Sequence, residues 1–278
     1  MNKLSVEKRV QVIKCLVEGT SIRGTVRITG VAKNTVAKLL VDLGEGCSIY
    51  QDAIMHDLKC RRLQFDEIWS FVYSKQKNIP EEHRGEFGYG DVWTWVAMDA
   101  DTKLVVSFLV GERNSKDAKA FVSDVASRLR YKVQLTTDGY KPYLEAVEDS
   151  FGGDIDYAVL HKIYGVEPET QKRYSPAKCL GTDVQVVAGN PDKAHVSTSY
   201  VERQNLTMRM GMRRFTRLTN AFSKKAENLA HAVSLHFMYY DFARPHKSLS
   251  KQYPTTPAMA AGIADHVWTV EELASLME

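Results

Sequence analysis

The sequence predicts an α/β protein in which a mixed-sheet core follows a small all-α N-terminal domain. Three observations lead there. Residues 5–43 carry apolar side chains at helical spacing in three short groups. Residues 60–163 alternate strand-like and helix-like patterns in the order strand, strand, strand, helix, strand, helix, strand. Charge is also segregated: residues 1–64 carry 11 Lys+Arg against 6 Asp+Glu, residues 65–202 carry 16 against 22, and residues 203–251 carry 10 against 2.

The stretch "SVEKRVQVIKCLVE" (5–18) puts Val6, Val10, Ile13 and Val17 on one helical face. Ile22, Val26 and Ile28 predict a short second helix, and Thr29-Gly30-Val31 a tight turn. Val36, Leu39, Leu40 and Leu43 give a third helix its buried stripe, with Gly44 as its stop. Two short helices about a glycine turn form a helix-turn-helix pattern. Its second helix would offer Lys33, Asn34, Thr35 and Lys38 to base edges and phosphates of a major groove. This domain is expected over 1–46, with a linker at 47–62.

The core is expected over 63–250. "CRRLQFDEIWSFVYSK" (60–75) reads as a strand by its aromatic and aliphatic content, yet Asp66 and Glu67 interrupt it. A carboxylate in a buried strand is costly unless it is paired or binds a cation. "DVWTWVAMD" and "KLVVSFLVGE" make two more strands about the turn 99–102. Asn114 or Ser115 caps a helix running to about Arg130, and "KVQLTTDGY" is a fourth strand that ends at Asp138. A short helix near 140–149 and a strand at 156–163 follow. Residues 164–198 read as an irregular insertion with a small strand at 184–188, and 251–278 as a C-terminal tail.

Composition is that of a globular protein, 44% hydrophobic and 26% charged. No run approaches a membrane span and no apolar signal segment opens the chain, so a cytoplasmic protein with no membrane partner is expected. Cys15, Cys47, Cys60 and Cys179 form no C-x-x-C pair, which argues against a zinc ribbon. Basic flanks about an acidic middle suit a protein that grips phosphates at its edges and holds cations at its centre.

The stretch "TSYVERQNLTMRMGMRRFTR" (198–217) has one acid, Glu202, then five arginines with no further acid. Ser199-x-x-Glu202 reads as a capping box, and Glu202 also reads as a metal ligand. Asp66 on the first strand, Asp138 at the end of the fourth and Glu202 in a later helix resemble the RNase H-like, retroviral-integrase-like fold of polynucleotidyl transferases. In that fold the first and fourth strands are neighbours, so carboxylates on strands about 4.8 Å apart can converge. Breaking or joining a phosphodiester requires an activated oxygen nucleophile and charge stabilisation on entering and leaving oxygens. Two divalent cations about 3.5–4 Å apart supply both, and hard cations take carboxylate oxygens rather than thiolates. Arg209 follows Glu202 by almost two helical turns and projects from nearly the same face, with Arg203, Arg213 and Arg214 as further DNA contacts. Glu67, on the opposite strand face from Asp66, is expected to be structural.

"QFDEIWSFV", "TTDGYKPY" and "SYVERQNLTMRMGMRRFTRLTNAFSK" together resemble bacterial insertion-sequence transposases, closest to the insertion-sequence-one family. "YYDFARPHKSL" (239–249) resembles the segment closing many such domains. The resemblance implies a DDE triad of Asp66, Asp138 and Glu202, and Mg²⁺ or Mn²⁺, two ions per site. It further implies cleavage at terminal inverted repeats, transfer of 3′-hydroxyl ends into target DNA, a homodimer or higher oligomer, and a nucleoid-associated location in a bacterium. Relatives often carry an N-terminal cysteine-rich zinc module, and none is readable here. A domesticated, catalytically silent DNA-binding regulator and a simple RNase H-like nuclease are the alternatives.

Overall fold

The computed structural model describes residues 4–165, 179–216 and 220–277. Arg217 and residues 166–178 of the expected insertion lie outside them. Helices α1 (Val6–Val17), α2 (Ile22–Thr29) and α3 (Lys33–Ile54) form as the periodicity requires. Ser5 and Ser21 cap α1 and α2 by accepting from the Lys8 and Gly24 amides. Gly30 closes α2 in the left-handed conformation, φ 72°.

The third helix does not stop at Gly44. It continues ten residues to Ile54, so 47–54 is helix rather than linker. Gly44 lies where α3 crosses α7 (Ala226–Met238), and a Cβ there would stand 2.5 Å from the Cβ and carbonyl oxygen of His231. That glycine serves close helix packing rather than termination. Cys47 and Gln51 are buried in the same interface, where Gln51 Nε2 donates to the Ser234 carbonyl at 3.2 Å.

Strands β1 (Arg62–Val72), β2 (Gly90–Asp99) and β3 (Val105–Gly111) form an antiparallel meander. After α4 (Ser115–Arg128), strand β4 (Gln134–Thr137) returns parallel to β1. After α5 (Pro142–Phe151), β5 (Asp156–Tyr164) runs parallel to β4, and β6 (Cys179–Ala188) folds back antiparallel on β5. The six-stranded order is β3-β2-β1-β4-β5-β6. This is the expected mixed, RNase H-like sheet, with the first and fourth strands adjacent. β6 begins five residues before the expected strand.

Aromatic residues fix the layers. Phe65 on β1 meets Phe121 of α4 at 5.2 Å and Tyr143 of α5 at 5.9 Å between ring centroids. On the other face α6 (Ser199–Gly211) docks on β1, where Gln64 Oε1 accepts from the Tyr200 and Val201 amides at 2.9 and 3.1 Å. The tail folds back as α8 (Pro257–Ala260) and α9 (Val270–Ser275), and α9 buries Leu273 and Ala274 against α1 and α3. No helix among the described residues is long and apolar enough to cross a membrane.

Candidate active site

Strand lengths create the site. β1 has eleven residues and β4 only four, and their register pairs Leu63 with Leu135 and Gln64 with Thr136. Two residues further along, Asp66 stands level with Asp138, where β4 has already ended. The sheet therefore opens a gap beside β1. Asp66, Glu67 and Asp138 each turn a carboxylate oxygen into it, all within 4.8 Å of one another.

The expectation that Glu67 is structural rests on its lying on the other face of β1. The face is as expected: Glu67 shares it with Phe65, which packs on Tyr143. The expected separation from Asp66 fails because no strand among the described residues fills the gap beside β1. Glu67 is 8% exposed, and its Oε1 is buried without a hydrogen-bond partner among the described residues. The phenol of buried Tyr143 faces it without completing a bond of normal geometry. Its Oε2 pairs with Arg113 Nη2 at 3.3 Å. The Arg113 guanidinium lies 4.0 Å from the centre of the Tyr140 ring and 5.0 Å from that of Trp93.

Crowding and burial show in the acidities. Burial pushes Asp66 up to about 6; the Asn205 amide, donating to Asp66 Oδ2 at 2.8 Å, opposes this, while Asp138 and Glu202 add to it. Burial likewise pushes Glu67 to about 7, with Asp138 and Asp66 adding and Arg113 opposing. Asp138 Oδ1 accepts from the Tyr140 amide at 2.9 Å, which fixes the turn after β4. The His161 ring lies against Gly139, where a Cβ would stand 2.7 Å from Nδ1.

Glu202 is not among the three gathered carboxylates. Its Oε1 pairs with Lys162 Nζ on β5 and accepts from Thr198 Oγ1 at 2.6 Å. The expected capping box is also absent: Thr198, not Ser199, is the N-cap, and no side chain caps α6. Glu202 is nonetheless near enough to raise the Asp66 carboxyl. Helix α6 therefore supplies Asn205 to the cluster directly and Glu202 through space.

Among the expected DNA contacts, Lys33, Asn34, Thr35 and Lys38 are exposed at the start of α3, and Lys38 pairs with Asp42 at 2.6 Å. Arg203 and Arg213 are exposed; Arg209 and Arg214 are half-buried, and Arg214 Nε donates to Ser223 Oγ at 2.9 Å. His231 lies at the α3–α7 crossing. His236 is buried, and its burial lowers it to about 4. Trp95 is core, whereas Trp93 is half-buried under Arg113.

Sequence reasoning misses Glu67 as a cluster member, and also Arg113, Lys162 and Asn205. The polar residues Asn205 and Gln204 on the buried side of α6 are the signal that could have found the last of these, since a buried amide calls for a partner.

No family model matches the chain, and no curated protein does. Among solved structures, the piggyBac transposase synaptic complex with hairpin DNA aligns over 100% of this chain and 73% of its own, at 10% identity and TM-score 0.44. The Mos1 transposase paired-end complex with left transposon end aligns over 56% of this chain and 60% of its own, at 13% identity and TM-score 0.25. The Mos1 strand transfer complex aligns over 86% and 79%, at 11% identity and TM-score 0.25. Likenesses of this order assign no function by themselves.

Proposed function

We propose that this chain is a metal-dependent polynucleotidyl transferase, a DDE-type DNA transposase of the bacterial insertion-sequence kind. The observation that carries the reading is the convergence of Asp66 and Asp138 from adjacent parallel strands, with Glu67, at the open end of the sheet. Such a group is unfavourable as it stands. Crowded carboxylates, with an unsatisfied oxygen on buried Glu67, call for a cation, and an all-oxygen donor set fits Mg²⁺ or Mn²⁺.

Asp66, Asp138 and Glu67 would hold the metal, with Glu202 as a further ligand once it leaves Lys162. When bound, a pair of such ions activates the attacking oxygen and stabilises charge on the entering and leaving oxygens. The protein's own side chains do the positioning. Asn205 fixes the Asp66 carboxylate, and Arg113, pinned by two rings and Glu67, offers a cation beside the cluster. Arg203 and Arg209 continue along α6 for the DNA strand, and the exposed start of α3 supplies the DNA reader.

The test is incubation with Mg²⁺ and DNA bearing the element's ends. Nicked and joined products are expected from the native protein and none from Asp138→Asn. Full activity in that variant would remove the assignment. Cleavage without joining would indicate a nuclease, and sequence-specific binding without any metal-dependent product a silent regulator.

A further inference from the structure

On the sheet face that carries Glu67, aromatic rings continue past the carboxylates. Trp69 and Phe71 follow Glu67 at every second residue of β1, so they share its face, about 7 and 13 Å further along the strand. Phe65, before Glu67, is covered by α4 and α5, whereas Trp69 is only half-buried. Trp69 meets Phe71 at 5.9 Å, and Phe71 meets Phe222 at 5.0 Å, between ring centroids. The exposed Lys224 Nζ then lies 4.9 Å from the centre of the Phe222 ring and 5.2 Å from that of Tyr73. Tyr73 contacts Tyr89 at 5.0 Å, and Tyr89 stacks on His83 at 4.0 Å. Rings and one cation thus run in contact from Trp69, beside the carboxylates, to the connection between β1 and β2.

Tyr73 is held in an unusual way. Its φ is 64°, in the left-handed region that a bulky side chain rarely adopts. The Tyr73 amide donates to the Ser223 carbonyl at 2.9 Å, which ties this turn to the segment bearing Phe222 and Lys224. The strained turn leaves the ring 37% exposed. Burial alone does not account for an aromatic residue that is both strained and more than one third open to solvent. Strain of this kind persists where the surrounding structure imposes it, and it clusters at ligand sites.

We infer that this series of rings seats the unpaired bases of a single DNA strand and leads them to the carboxylates. Every base has a π-face, so stacking on half-exposed rings accepts any sequence, while a neighbouring cation serves the phosphates. The bases of a duplex already stack on one another and offer such faces only at its ends. Lys224 supplies the charge complementarity, because its flexible stem lets the ammonium exchange the two rings for a phosphate oxygen. Continuity with Glu67 along β1 supplies the direction. The inference rests on the DNA-processing reading and adds that the strand is unpaired beside the site.

The experiment is fluorescence anisotropy with the full chain in EDTA, so that cleavage plays no part. The probes are a labelled single strand of thymidine nucleotides, an abasic strand of the same length, a duplex and thymidine monophosphate. The native protein should bind the thymidine strand roughly tenfold more tightly than the abasic one. Tyr73→Asn keeps a residue that tolerates the left-handed backbone but removes the ring. It should bind the thymidine strand roughly tenfold more weakly, with its grip on the abasic strand and its melting temperature unchanged. Tyr73→Phe, which keeps the ring, should match the native protein, as should Tyr253→Leu, which removes an exposed ring from the tail. Equal native affinity for the two strands, or native-like binding by Tyr73→Asn, would overturn the inference. So would a loss in that variant that extends equally to the abasic strand. Thymidine monophosphate bound as tightly as the strand would show a mononucleotide site and overturn the strand as occupant. In each of these cases persisting duplex binding leaves the DNA-processing reading to its own cleavage test. A native protein that binds no nucleic acid would overturn both.

Discussion

The Asn205 side-chain amide donates to Asp66 Oδ2 at 2.8 Å, linking helix α6 to strand β1 across 139 residues of sequence. Outer residues of this kind set the orientation and basicity of a ligating carboxylate. Replacing Asn205 with Leu leaves Asp66 buried without that donor. Mg²⁺ affinity, read by titration calorimetry, should fall by roughly 10- to 100-fold. Unchanged affinity would mean that Asp66 is oriented by something else.

The acidities of the cluster make stability depend on pH in an unusual direction. Asp66 is raised to about 6 and Glu67 to about 7. A raised carboxyl binds its proton more tightly in the folded protein than in the unfolded chain. Metal-free stability is therefore greatest below about pH 4 as far as these groups are concerned, and falls as pH rises toward 6 or 7. Each contributes a loss of roughly 3 kcal/mol at most, less where the pair shares a proton. In EDTA the melting temperature of the native protein should drop across this window more than that of Asp66→Asn/Glu67→Gln. Mg²⁺ should restore it above pH 7. Parallel curves for the two proteins would refute the shifts.

Lys162 holds the Glu202 carboxylate in an ion pair that competes with any cation nearby. Both partners are partly exposed, so the pair is screened and its net strength modest. Lys162→Met should free Glu202 and tighten Mg²⁺ binding by roughly three- to tenfold. Looser binding would show that Lys162 positions Glu202 rather than withholding it.

The sheet is legible in the sequence because its signals are local. Alternating aromatics mark β1 and β2, and Asn114 caps α4 as expected. Asp66 and Asp138 are legible because buried or strand-ending acids are conspicuous against apolar neighbours. Glu67 is not, since its place depends on β4 stopping after Thr137, a fact about a partner strand. The length of α3 is hidden for a related reason. Gly44 stops a helix in isolation, but here it admits α7, and only the tertiary contact distinguishes the two roles. Lys162 and Arg113 carry no periodic signal at all.

Asp241 tests how the fold tolerates a buried acid outside the site. It is fully buried, its Oδ1 accepts from the Val105 amide at 3.1 Å, and its Oδ2 has no hydrogen-bond partner among the described residues. Burial raises this carboxyl well above its ordinary value, which favours its uncharged form. Asp241→Asn keeps both shape and acceptor and should change stability by less than about 1 kcal/mol near pH 7. Asp241→Leu orphans the Val105 amide and should cost about 1–3 kcal/mol. Urea denaturation of the two variants separates these outcomes; equal losses would show that the acceptor is immaterial.

Gly44 governs how closely the N-terminal helices approach the core. A Cβ at this position would meet His231 Cβ and its carbonyl oxygen at 2.5 Å, and backbone on α7 cannot yield as a flexible side chain does. Gly44→Ala should gain helix propensity of about 0.8–1 kcal/mol. Forcing two packed helices apart costs more, typically about 1–3 kcal/mol. Larger residues should widen the gap, since Val36, Leu40 and Leu43 on the same helix are buried and would be unpacked as it tilts. The predicted order of stability is Gly44 above Ala above Val, by thermal melting. A Gly44→Ala protein more stable than the native one would show that α3 and α7 are free to separate there.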